Sequence, residues 1–133
     1  MGWRTIALVM LWGMVGQALA LDAPGGRVIL EVGGRISVTN VSDEAHFDRA
    51  MLEALPQHVV VTGNPWIDGQ SRFEGPLLSD VLAAVEAEGD ELRVAAIKDY
   101  ETLMPVSDAH EHGVILAMRR DGERMRIRDK GPL

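Results

Sequence analysis

Cysteine is absent from all 133 residues of the chain. No disulfide can brace the fold, and no thiolate is available to ligate a metal, so stability must come from packing. An excess of positive charge is missing as well. The 13 basic residues face 20 acidic ones, a net charge of −7, which argues against a nucleic-acid partner. No apolar run reaches the ~20 residues that a membrane-spanning helix needs. Repeats, linkers and low-complexity tracts are absent, and there is no Gly-x-Ser-x-Gly elbow of the kind that serine hydrolases use.

What is present begins with a leader pattern. Arg4 precedes an apolar run from Thr5 to Val15, and Ala18-Leu19-Ala20 supplies small residues at a cleavage point. Residues 1–20 therefore read as a secretory signal peptide, and residues 21–133 as a single small domain, exported to a bacterial periplasm. The charge is unevenly spread. Residues 21–112 hold 6 basic and 17 acidic side chains, whereas residues 113–133 hold 6 and 3. A basic end on an acidic body points to a local anion site, although Arg119, Arg120 and Arg124 read more simply as solvated strand faces.

Val28 to Val32 and Arg35 to Val38 read as two short strands or one bent strand around Gly33-Gly34. Asn40 or Ser42 is expected to cap a helix that carries Phe47, Met51, Leu52 and Leu55 on one stripe and ends at Pro56. His58 to Thr62 reads as a strand and Gly63 to Gly69 as a loop. Pro76 reads as the first residue of a helix with Leu77, Leu78, Val81, Leu82 and Val85 on its apolar face, stopped by Gly89. Leu92 to Ile97 and Glu101 to Val106 read as strands about a Lys98-Asp99-Tyr100 corner. Ser107 to His112 reads as a turn or one helical turn. A hairpin then turns at Asp121-Gly122, between Gly113 to Met118 and Arg124 to Arg128. The class is α+β, with a mainly antiparallel, curled sheet and a few short helices.

The ordered set Arg72-Phe73-Glu74-Gly75-Pro76-Leu77-Leu78-Ser79-Asp80-Val81-Leu82, Asp99-Tyr100, Gly113 to Ala117 and Arg128-Asp129-Lys130-Gly131-Pro132-Leu133 resembles the oxidoreductase molybdopterin-binding domain, a sulfite-oxidase-type fold. The likeness covers most of Gln57 to Leu133. In the redox enzymes of that family a cysteine ligates molybdenum from the turn that here reads Val61-Thr62-Gly63-Asn64. The likeness does not decide whether Val61 or Thr62 stands at that position. Family members continue past the Lys130-Gly131-Pro132 segment into further strand, so the chain is either naturally short or a fragment truncated at the C-terminus. More narrowly, the chain resembles small exported members without molybdenum chemistry, which act as pterin-binding regulators on the periplasmic domain of a membrane protein controlling cyclic-di-GMP. The resemblance thus implies a non-catalytic pterin-binding protein. The alternative is an oxidoreductase, or a subunit of one, that holds molybdenum cofactor without the usual cysteine.

A pterin offers a flat ring, a donor edge and a hydroxylated or phosphorylated tail, which call for an apolar face, an acceptor and a cation. Trp66 lies in a Gly/Pro/Asn loop and is suited to the ring, or equally to plugging the base of that loop. Asp99 would accept from the donor edge and Tyr100 would flank the ring, unless Asp99 only satisfies its own turn. Arg128 and Lys130 alternate and suit the tail, with Gly131 allowing close backbone approach and Arg72 as a further cation. Thr62 and Asn64 complete the candidate set from the turn that replaces the metal ligand. His110-Glu111-His112 would put two imidazoles on one face of a strand, but two ligands are too few and no metal is expected. Met51, Met104, Met118 and Met125 read as packing residues. If the leader is cleaved as its pattern implies, intact-mass and N-terminal analysis of the exported protein will show Leu21 as the first residue; a product that retains Met1 would overturn that reading.

Overall fold

The computed structural model describes residues 21–64, 67–97, 100–126 and 131–133. The leader, Trp66, Asp99, Arg128 and Lys130 lie outside the described residues. The first ladder joins β1 (Val28–Val32) to β2 (Ala45–Asp48) antiparallel, from Val28↔Asp48 to Val32↔Ala45. Arg35 to Val38 forms no strand. Instead Ser37 and Val38 both donate their backbone N–H to the Val85 carbonyl, which ties this segment to the end of a helix.

The helix expected from residue 42 is confined to α1 (Arg49–Glu53). Ser42 stands in a turn with φ 51, closed by backbone bonds between Val41 and Glu44. Neither it nor Asn40 is the cap. Asp48 takes that place, its Oδ1 accepting from the Met51 N–H at 2.9 Å. Phe47 sits at helical spacing from Met51, yet it belongs to β2 because the strand pairing with β1 buries it more completely. Asn40 clamps the same strand, exchanging two 2.7 Å bonds with the His46 backbone.

β3 (Gln57–Asn64) pairs antiparallel with β4 (Ile67–Pro76) in the longest ladder of the fold. Most of the expected 63–69 loop is therefore strand. Pro76 closes β4 instead of opening a helix, a position where its missing N–H interrupts no ladder. α2 (Leu78–Ala84) follows and stops well before Gly89, with Glu86 at φ 51. β5 (Glu91–Ala95) and β6 (Glu101–Pro105) form a hairpin, α3 (Val106–Glu111) a short helix, and β7 (Arg119–Arg120) and β8 (Glu123–Arg124) a tight hairpin about Asp121-Gly122. The strands of that last hairpin are shorter than expected, because residues 114–118 spend their N–H and carbonyl groups elsewhere. The Leu116 and Met118 N–H groups donate to Pro76 and Glu74, and the Val114 carbonyl accepts from Leu78.

The strands described thus form three antiparallel sheets, β1-β2, β3-β4-β7-β8 and β5-β6, with short helices between them. The class is α+β. Ala45, Phe47, Leu52, Val81, Val85 and Met118 make one buried cluster between β1-β2, the two helices α1 and α2 and the 114–118 segment. Of the stripe read from Leu77 to Val85, Val81 and Val85 end up here, and so does Met118. No described residue of the β5-β6 hairpin belongs to that cluster, and Ile97 and Leu103 are about two-thirds exposed.

Gly75 has the closest backbone approach of the described glycines. A Cβ there would collide with the Leu116 carbonyl, on the rung where that segment is bonded to β4. Gly75→Ala is expected to lower stability by at least about 2 kcal/mol, the scale of an overpacked interior, seen as a lower urea midpoint with an unchanged slope. An unchanged midpoint would mean that the 114–118 segment does not lie against β4.

Candidate functional site

The sequence candidates divide between two ribbons. Thr62 and Arg72 stand on adjacent rungs of the β3-β4 ladder, paired with Ser71 and Val61 respectively, so strand alternation sends their side chains to opposite faces. Thr62 is exposed and its hydroxyl donates to the Gly63 carbonyl at 3.2 Å. Arg72 is exposed too, but its guanidinium meets Glu74 at 3.2 Å and its backbone N–H donates to Asp121 at 2.9 Å. Asn64 is the last residue of β3. Tyr100 stands on the other ribbon, just before β6, with 80% of its surface exposed. No hydrogen bond or ion pair among the described residues joins it to Thr62 or Arg72. Trp66, Asp99, Arg128 and Lys130 lie outside the described residues.

A second concave region was not visible in the sequence. The N-terminal strand, α1 and β8 enclose a cleft of about 970 Å³ that brings together Arg27, Arg49, Arg124 and Arg126. These residues are spread over a hundred positions, and no local pattern marks them. Among the described residues, Asp48 and Glu53 are the carboxylates on its wall, and both are engaged. Glu53 meets Arg119 at 3.5 Å. Asp48 accepts from Gly25 and Gly26 at 3.0 and 2.9 Å as well as from Met51. The bond from Met51, then that from Gly26, with help from Gly25 and Ala50, hold its carboxyl below its ordinary pKa, against an opposing contribution from burial. Gly131 approaches backbone closely, as its lack of a side chain suggested, but the backbone is its own chain at Met125 and Arg126.

Metal-ligand geometry is equally redistributed. His110 lies in α3 and His112 caps its end, so helical spacing removes the shared face that a strand would have supplied. Glu31, Glu44 and His46 place one ligand atom each within 4.8 Å of one another, because Glu31 and His46 are cross-strand partners and Glu44 is two residues from His46. Within that group His46 Nε2 already meets Glu44 Oε2 at 2.8 Å.

Residues 35–133 match the oxidoreductase molybdopterin binding domain. The chain belongs to this family. No curated protein matches it. The family's cofactor class is a molybdopterin, and the residues of this chain meet that group unequally. Where the resemblance implies the family's thiolate, the chain is strand β3 and not a turn; Val61 offers no donor there and Thr62 a neutral hydroxyl bonded to its neighbour. Neither replaces a soft sulfur ligand. A pterin ring, by contrast, asks for an accessible aromatic face, which Tyr100 presents.

The three-fold engagement of Asp48 has a pH signature. A depressed carboxyl contributes stability that is complete above its ordinary value of about 3.8 and is lost as the pH falls through the lower folded value. Asp48→Asn is therefore expected to lower Tm at neutral pH, with the gap to the unsubstituted protein closing below pH 3.8. A gap that stays constant down to acid unfolding would show that the charge of Asp48 contributes nothing.

Proposed function

We propose that this chain is a periplasmic pterin-binding protein that performs no redox chemistry and signals when loaded. The observation that carries the reading is membership of this family in a chain without cysteine, so that whichever of Val61 and Thr62 stands at the family's metal-ligand position supplies no thiolate. A pocket of this family without the soft ligand keeps only the recognition half of its task. In this reading Tyr100 and Trp66 flank the ring, and Asp99 accepts from its donor edge. Arg128 and Lys130 receive the tail, and Thr62 and Asn64 border the ring from the end of the β3-β4 ribbon, while Arg72, on the opposite face from Thr62 and ion-paired with Glu74, takes no part. The leader pattern of residues 1–20 supports an exported protein with one domain over residues 21–133.

The narrower part of the proposal is a partner. The loaded protein would engage the periplasmic domain of a membrane protein that controls cyclic-di-GMP, and it shifts that partner only if the partner prefers the bound form. The exposed apolar side chains Ile97, Tyr100 and Leu103 of the β5-β6 hairpin are in keeping with a contact surface.

Purification from periplasm under native conditions, followed by fluorescence of released pterin and mass-spectrometric assay of molybdenum, tests this directly. Stoichiometric pterin without molybdenum is expected. Stoichiometric molybdenum would favour an oxidoreductase that holds the cofactor through its pterin alone. Tyr100→Ala should retain several-fold less pterin while keeping Tm, since an exposed side chain contributes within roughly 0.5 kcal/mol to stability.

A further inference from the structure

The outer face of the first ribbon carries the one group of three metal-ligating side chains found among the described residues. Alternation along β2 turns Ala45 and Phe47 into the core, so Glu44 and His46 are left on the opposite face. The register then sets Glu31 of β1 directly across from His46. Glu31, Glu44 and His46 each bring a ligand atom within 4.8 Å of the other two, although Glu31 comes from a separate strand.

Two features distinguish this group from an ordinary patch of surface acids. The first is fixed geometry. The His46 side chain is only 17% exposed, and Asn40 holds its backbone through two 2.7 Å hydrogen bonds, so the imidazole is presented from a secured rung. The second is charge. No lysine or arginine pairs with Glu31 or Glu44 among the described residues, which leaves the His46 ring, whose Nε2 meets Glu44 Oε2 at 2.8 Å, to answer both. An imidazolium would balance one carboxylate and leave the second unanswered, while a neutral ring would balance neither. A divalent cation at the centre balances both.

We propose that Glu31, Glu44 and His46 form a zinc site that staples β1 to β2, with water completing the coordination sphere. The donor set is one imidazole nitrogen and two carboxylate oxygens. It suits zinc and its transition-metal neighbours more than magnesium or calcium, whose shells are built from oxygen. Zinc bonds of ~2.0–2.2 Å put neighbouring ligand atoms roughly 3.3 Å apart. The separations found here run from 2.8 Å to at most 4.8 Å, so rotamer adjustments close the site without moving a strand. Zinc takes the place of the proton that His46 Nε2 shares with Glu44 Oε2, leaving the ring protonated at Nδ1 alone. None of the three residues is assigned to the pterin, and the site stands whether or not the chain retains one.

The test is a calorimetric titration of zinc chloride at neutral pH into the untagged, metal-free chain, with magnesium chloride and calcium chloride as separate arms. One saturable equivalent of zinc is expected, with no comparable binding of the other two ions. The loaded protein should melt several degrees higher, because zinc binds the folded state. Glu31→Gln alters an exposed side chain, so the metal-free variant should keep its Tm within a few degrees. The same variant should weaken zinc by about tenfold or more and lose the zinc-dependent rise in Tm. Glu44→Gln should weaken zinc in the same way, from the other strand of the ribbon. Replacing His110 and His112 together by Gln removes the imidazoles of α3 and should change neither reading, which separates this site from loose association with surface histidines. Absence of saturable zinc binding, equal binding of magnesium, unaltered affinity in the two glutamate variants, or loss of the zinc equivalent in the α3 variant would overturn the proposal.

Discussion

The carboxylate of Asp48 is the junction on which this arrangement rests. One oxygen receives Gly25 and Gly26 and the other receives Met51, so a single side chain fastens the N-terminal segment to the start of α1 while its own residue completes β2. Both oxygens of Asp48 are engaged by backbone donors, and no hydrogen bond or ion pair joins it to its neighbour Arg49 among the described residues.

A second constraint works in concert with the first. Gly75 lets the Leu116 backbone lie against β4, and that contact delivers Met118 to the core and carries the chain on to the β7-β8 hairpin. β8 then brings Arg124 to the cleft bounded by α1. The concavity is therefore made by elements that are distant in sequence, each positioned by backbone hydrogen bonds, and its charge is decided by which carboxylates those bonds consume.

Family membership and the missing thiolate bear on function at a different level. The match over residues 35–133 sets the fold and the class of cofactor. Val61 and Thr62 lie near the end of an exposed ribbon, and neither side chain is a soft ligand.

The ladder of β3, the Asp121-Gly122 turn, the apolar stripe of α2 and the absence of any cysteine ligand were all legible in the sequence, because each depends on neighbours a few residues apart. Residues 42–48 were not. Phe47, Met51, Leu52 and Leu55 recur at helical spacing, but pairing with β1 draws the first part into a strand, and only Asp48 onward is left to start a helix. Likewise Gly63 to Gly69 carries turn-forming residues that the long β3-β4 ladder extends through. Local propensity is worth tenths of a kcal/mol per residue, and a ladder with a buried face outweighs it. Of the candidate site, residue types and the placement of Tyr100 at a ribbon end came from sequence. The cluster of Arg27, Arg49 and Arg124 came only from tertiary structure, since charges separated by up to a hundred residues meet through long-range backbone contacts that no local pattern records.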